Sequence, residues 1–303
     1  MSTTDPSLRP QDDAAPPAPD LYAAAPADKA PALARPITLP YAPQPAPRWA
    51  PIHLLQLSRR DAALDLGLIV LTLLVFPYGL QFVSLFLKST APVPRDAPLP
   101  VSFVISQIGL EAAATLCVAG YLIWRHRLSR AAFGFRLGPV SHEVGWSTAA
   151  LASVYVTSLV SAALIFALVM TFPSLQADLK HRLDFFRMLP LSNLATTAVL
   201  LVPVAIHEEV LFRGLLLPYL RRLTGTWSAA IVVSALVFAA LHLPQGVLGA
   251  CQIVFVGAAL GLVFVRTQRL LPVLVAHYLF DFIQAALATY LLNGPQGFPK
   301  LSG

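Results

Sequence analysis

The chain reads as an all-α membrane protein, a polytopic transmembrane bundle of about seven or eight helices behind a disordered N-terminal tail. Three observations carry that expectation. Of 303 residues, 56% are hydrophobic and 12% are charged, roughly half the charged share of an ordinary soluble domain. The apolar residues gather into segments long enough to cross a hydrocarbon core of about 30 Å, which takes roughly 20 residues of helix. Arginines stand in short clusters between those segments, where the positive-inside rule expects them. The formal charge of +6 is therefore read as topology, and nucleic acid is not expected as a partner.

Residues 1–51 are dense in Pro and Ala and show no sustained periodicity, so they cannot bury enough surface to offset their ordering entropy. They are expected to be disordered. They lack the basic start, apolar run and small-residue cleavage site of a signal peptide, so removal is not expected. The remaining organisation is expected to be a set of helices over 52–190, a core over 191–292 that holds the motifs described below, and a short C-terminal tail over 293–303.

Seven spans are expected. The first, 64–87, follows Arg59 and Arg60, and the second, 101–124, runs into Arg125, Arg127, Arg130 and Arg136. The third covers 146–172. Next comes an amphipathic stretch, 175–188, whose Lys180, Arg182 and Arg187 lie among Leu and Phe, the pattern of a helix lying in the membrane interface. The fourth span, 191–220, leads to Arg221 and Arg222 and contains Pro218, which should kink it. The fifth, 228–242, is short for a span. The sixth, 247–265, carries Gly257 and Gly261, a small-xxx-small pair that lets helices approach closely. The seventh, 271–292, follows Arg266 and Arg269. If the spans alternate, the arginine clusters share one side, read as cytoplasmic together with the N-terminus, while Lys88, Arg95, Lys180, Arg182, Arg187 and Lys300 lie opposite. Cys117 and Cys251 fall inside apolar segments and read as small buried hydrophobes.

Ionisable groups within these spans are few: Glu111, Glu208, Glu209, Arg213, His242, His277 and Asp281, with His207 beside the acidic pair. Charges at bilayer depth are expensive and mark function. On a helix Glu209 and Arg213 are four apart and can pair, while Glu208 points about 100° away and is left to work. The turn between the fourth and fifth spans lies near Thr224 to Thr226. Glu208 precedes it by 16 residues and His242 follows it by 16, so both lie roughly 24 Å from it at 1.5 Å per residue. His277 and Asp281 share a helical face, which lets the carboxylate orient the imidazole. Phe238, one turn before His242, should pack on the same face. His207 lies off the Glu208 face and is left out of the site. Glu111 is read either as reaching Arg213 or as lining an entry path.

A Glu and a His converging on one water form a general-base arrangement, and His277 supplies a donor for an oxyanion. Hydrolysis of a peptide bond inside the membrane is the sharpest reading. Other hydrolase signatures fail: His207-Glu208 is not followed by the second His of H-E-x-x-H, there is no G-x-S-x-G elbow, and neither Cys has a neighbouring His. Zn²⁺ held by Glu208, His242 and His277 stays open beside a metal-free mechanism, which is preferred.

Glu208-Glu209 with Arg213, then Phe238 with His242, then His277 with Asp281, in this order and spacing, resemble the three motifs of the CPBP family of intramembrane proteases. That family includes the type II CAAX prenyl endopeptidases and the bacteriocin self-immunity proteins. The resemblance implies a multi-helix membrane fold, water activation by Glu208 and His242, and an oxyanion site at His277 and Asp281, with Glu209, Arg213 and Phe238 in support. Eukaryotic prenyl proteases carry Asn where this chain has Asp281, and an ionised carboxylate cannot donate to an oxyanion. Asp281 is therefore either protonated or orients His277. The expected partners are the lipid bilayer and a membrane-embedded or lipidated protein or peptide substrate, and the richness in Ala, Pro and Arg suggests a bacterial inner membrane. The alternative is a non-proteolytic scaffold or bacteriocin-immunity protein of the same fold, and a proton-coupled transporter is a weaker third reading.

Overall fold

The computed structural model describes residues 54–87, 101–188 and 193–293. The expected disordered tail over 1–51 lies outside the described residues, as do Lys88, Arg95, Lys300 and residues 294–303 of the C-terminal tail. Among the described residues there are eight continuous helices and no strand. They are α1 (Arg59–Leu87), α2 (Val101–His126), α3 (Val140–Thr171), α4 (Gln176–Met188), α5 (Leu194–Thr224), α6 (Trp227–Leu241), α7 (Val247–Thr267) and α8 (Leu270–Asn293). Each corresponds to an expected segment.

Local signals set the ends. The Asn193 side chain accepts the N–H groups of Ala195 and Thr196 at 2.9 and 3.2 Å and opens α5, satisfying donors that have no partner within the helix. Gly225, at φ 80°, closes α5 in the left-handed region, where a side chain would be strained. Thr226 then caps α6 through the Ala229 N–H.

Five helices among the described residues are long and apolar enough to cross a membrane: Val104–His126, Val140–Thr171, Leu194–Thr224, Val247–Thr267 and Leu270–Tyr290. Helix α6 has 15 residues and so reaches only about 22 Å at 1.5 Å per residue, short of a full hydrocarbon core. Of the seven expected spans, the fifth is therefore a shorter apolar helix, and the first, 64–87, is not among these five.

The irregularity in α5 is not where Pro218 alone would put it. Residues Val210–Leu216 form a π-helical stretch, and the Leu217 N–H bonds to the Phe212 carbonyl, five residues back. Pro218 has no N–H for the Gly214 carbonyl and its ring crowds that oxygen, so the turn widens just upstream and the helix continues to Thr224. All seven residues of the stretch are buried. It is the centre of the bundle, packed among Phe133, Tyr219, Phe264 and Leu270.

The arginine clusters do meet at one end. The Arg222 Nε donates to the Leu57 carbonyl at 2.6 Å, Arg136 donates to the carbonyls of Thr267 and Gln268 at 3.1 Å each, and Arg269 pairs with Glu143 at 2.9 Å. Asp65 of α1 fastens the same end, accepting the Tyr219 hydroxyl at 3.2 Å and lying 2.7 Å from His126 Nε2. Helix α4 sits at the other end, where the Asp178 carboxylate takes the N–H groups of Val247 and Leu248 at 2.8 and 2.9 Å.

Apolar side chains such as Leu159, Phe166 and Met170 stand outward, 67–68% exposed, as a lipid-facing surface allows. Cys117 and Cys251 are on exposed faces, which corrects their reading as buried residues: in lipid the outside of a helix is as apolar as its inside. Gly257 brings α7 against α6, since a Cβ there would lie 3.2 Å from Phe238 Cδ1 and 3.4 Å from Ala235 Cα. Gly257→Val should lower stability by about 1–3 kcal/mol, measured by denaturant unfolding in detergent, whereas Gly67→Ala, with nothing within 4 Å of the added methyl, should cost nothing.

Candidate active site

Helix α5 delivers two neighbouring carboxylates to different places. Glu209 is fully buried, and one of its oxygens, Oε1, accepts from Arg213 Nη1 and from His277 Nδ1, each at 2.6 Å. Arg213, 2% exposed, also donates to the Gly257 carbonyl at 3.2 Å and lies 4.9 Å over the Phe238 ring. The second Glu209 oxygen, Oε2, is buried without a hydrogen-bond partner among the described residues. Charges this deep persist only when paired. The ion pair read from the spacing is therefore present, and a third member, His277, comes from α8.

Glu208 faces the other way. It lines a cavity of about 730 Å³ together with His242, His277, Asp281 and Phe238. Its Oε2 lies 3.6 Å from His277 Nε2, while Asp281 Oδ2 lies 3.2 Å from the same nitrogen. With Nδ1 donating to the Glu209 carboxylate, His277 turns Nε2 towards the cavity between two acids. The structure thus brings Glu208, His242, His277 and Asp281 to one cavity and keeps Glu209 and Arg213 behind it.

His242 sits at the end of α6, where its Nδ1 bonds to the Phe238 carbonyl at 2.8 Å. A carbonyl only accepts, so Nδ1 carries the proton and Nε2 of the neutral ring is the acceptor. Phe238 fixes these rings by edge contacts, with centroids 4.6 Å from His242, 6.2 Å from His277 and 4.7 Å from Phe212. Its expected place on the His242 face is met, and it also underlies the Arg213 guanidinium.

His207 differs from the sequence reading, and one of the two alternatives given for Glu111 falls away. His207, set aside for its angle to Glu208, lines the cavity, with Nδ1 2.8 Å from the Thr115 hydroxyl and Nε2 3.8 Å from Glu111. The cavity is wide enough to be lined by neighbouring positions of one helix, so a 100° offset does not remove a residue from it. Glu111 does not reach Arg213, whose partners are Glu209, Gly257 and Phe238; it lines the cavity, with its Oε1 accepting from Gln107 at 2.6 Å. A lone Glu in an apolar span was the only signal for it.

No group of three or more His, Cys, Asp or Glu side chains among the described residues is arranged to hold a metal ion. The Nδ1 contacts of His277 with Glu209 and of His242 with the Phe238 carbonyl leave Nε2 of each ring as its ligand atom, the pattern usual for metal-binding imidazoles, so Glu208, His242 and His277 are the residues that would hold Zn²⁺. No step is derived through a metal.

Removing Arg213 should strand the Glu209 charge. Arg213→Met is expected to cost about 3–5 kcal/mol of stability, read by unfolding in detergent, and the double change Glu209→Gln with Arg213→Met should cost less than the sum of the two.

Residues 190–283 match the family model described as Type II CAAX prenyl endopeptidase Rce1-like. No curated protein and no solved structure matches the chain. The matched segment contains every cavity residue from His207 to Asp281, and together with the five apolar helices it supports an integral, multi-pass membrane protein. Over residues 190–283 the chain is thus similar to the type II CAAX prenyl endopeptidases, in agreement with the CPBP resemblance of its three motifs, and what the family supports in general is an intramembrane endopeptidase of CAAX type.

Proposed function

We propose that the protein is an intramembrane endopeptidase in which Glu208 is the general base, acting with His242 on a water that attacks a peptide bond of a membrane-associated or lipidated protein. The observation that carries this reading is the shared cavity: Glu208, His242, His277 and Asp281 open onto one space of about 730 Å³, large enough for a peptide segment. Glu208 accepts the proton of the water. His242 Nε2, with its lone pair directed away from the Nδ1–H that binds Phe238, accepts the second hydrogen and aims the oxygen.

The tetrahedral intermediate needs a donor for its oxyanion. His277, carrying a proton on each ring nitrogen, offers Nε2–H as that donor, and this N–H is shared between the oxyanion and Asp281 at 3.2 Å, which orients it; an ionised Asp281 need not touch the oxyanion at all. Of the two roles open to Asp281 from the sequence, orientation is the one this distance supports. Glu209 fixes the other face of the ring, and Arg213 balances the charge of Glu209. The proton taken by Glu208 is then returned to the leaving amine, which balances the hydrolysis: a C–N bond and a water O–H bond break, a C–O and an N–H bond form, and water gives its hydroxyl to the new carboxyl group and its proton to the amine.

By the positive-inside rule the arginine-rich end puts the proposed enzyme's N-terminus in the cytoplasm, and the bacterial inner membrane is proposed from the richness of the sequence in Ala, Pro and Arg. In a purified preparation shown to be folded, Glu208→Gln should lower kcat for a lipidated or membrane-anchored peptide by about 10²- to 10⁴-fold. Full activity in that variant would remove Glu208 as the base. Absence of cleavage by the wild type, with an in-cell phenotype intact in correctly inserted Glu208→Gln, would favour the non-proteolytic scaffold instead.

A further inference from the structure

The proposed hydrolysis uses one wall of the cavity; the wall formed by α2 and the neighbouring face of α5 carries a second polar group that it leaves unused. Glu111 and His207 both open onto the cavity, their side chains 19% and 15% exposed. The Glu111 carboxylate is aimed by Gln107, whose Nε2 donates to Oε1 at 2.6 Å. Its other oxygen, Oε2, accepts no hydrogen bond among the described residues, and the nearest nitrogen partner, His207 Nε2, stands 3.8 Å away, beyond hydrogen-bond distance. The imidazole is held in place by the Thr115 hydroxyl at 2.8 Å.

The surroundings of this carboxylate are apolar: Ile108 and Val104 lie one and two turns before it on α2, and Leu201 and Val204 precede His207 on α5, all lining the same cavity. An acid at such a depth favours a cation strongly. The cation is not Arg213, which is committed to Glu209. Nor is it Arg182, a guanidinium that also lines the cavity and donates to Gln252 of α7 at 2.8 Å. On its side of the cavity Glu111 faces the His207 imidazole, while the acids Glu208 and Asp281 face His277.

We infer that Glu111, aimed by Gln107 and flanked by His207, is a specificity-determining subsite that takes a cationic side chain of the substrate, a lysine ammonium or arginine guanidinium, in the residues flanking the scissile bond. The inference rests on the proteolytic reading of the cavity but concerns selection, not hydrolysis. An ammonium entering the cavity completes the coordination of Oε2 with a charge-assisted hydrogen bond, while its methylene stem lies on the apolar wall of α2.

The test uses the full chain in lipid nanodiscs and two sets of membrane-anchored peptides that differ only in carrying lysine or the uncharged norleucine at each of the three positions on either side of the cut. At one position the wild type should favour lysine by about 10-fold or more in kcat/KM, through KM, and Glu111→Gln should bring that ratio close to one. Glu111→Asp, which keeps the charge, should retain a preference for lysine and so guards against a variant that folds poorly. Binding of fluorescent forms of the same peptides, measured without turnover, should show the same ratio, so the inference stands or falls even if no peptide is cut. No lysine preference in the wild type by either readout, or a preference that survives in folded Glu111→Gln, would overturn it. Absence of cleavage with selective lysine binding would overturn the protease reading and leave the subsite standing.

Discussion

The site depends on one carboxylate that never reaches the cavity. Glu209 is fully buried, and a single oxygen holds Arg213 from its own helix and His277 from α8. Each contact solves a different problem. Arg213 supplies the charge without which a buried carboxylate would be intolerable, and its Nη2 donates to the Gly257 carbonyl of α7. The His277 contact fixes an imidazole by one nitrogen so that the other points at Glu208 and Asp281. Three helices are therefore tied at one point, and the orientation of a proposed oxyanion donor follows from the tie.

This accounts for two adjacent acids where the proposed chemistry asks for one base. Neighbouring positions on a helix point about 100° apart, so Glu208 faces the cavity while Glu209 faces the core. The division resembles that in other acid–base sites, where one group is held by its environment and the other is left to move protons. Phe238 is the insulating partner of both. It lies under the guanidinium and packs edgewise on both His242 and His277, so the cavity wall and the buried pair share one aromatic ring. Gly257 is what allows that ring to sit so close to α7.

Much of this was legible from the residues, for physical reasons. Apolar run length places helices well when the solvent is lipid, so every expected segment appears as a helix. Pairing at a spacing of four is local, and the Glu209–Arg213 pair appears as the spacing implies. What could not be read was anything that depends on contact between distant helices. The Glu209 bond to His277 joins residues 68 apart in the chain, and the Thr115 contact with His207 joins residues 92 apart; no periodicity reports such register. The π-helical stretch was also hidden, because Pro218 announces a disturbance but not whether the chain kinks at it or widens before it. The cysteines were misread for a simpler reason: hydrophobic residues in a membrane helix have two apolar places to go.

The central claim, that a water activated in this cavity cuts a peptide bond directly, is tested most directly by isotope transfer. Purified protein in nanodiscs would cleave a membrane-anchored peptide in ¹⁸O-labelled water, with acid quenching and mass spectrometry of both peptide and protein. The expected result is one ¹⁸O in the newly formed carboxylate during a single turnover, with no peptidyl adduct on the chain at any quench time. A peptidyl adduct trapped on the protein would contradict direct water attack and the roles given to Glu208 and His242.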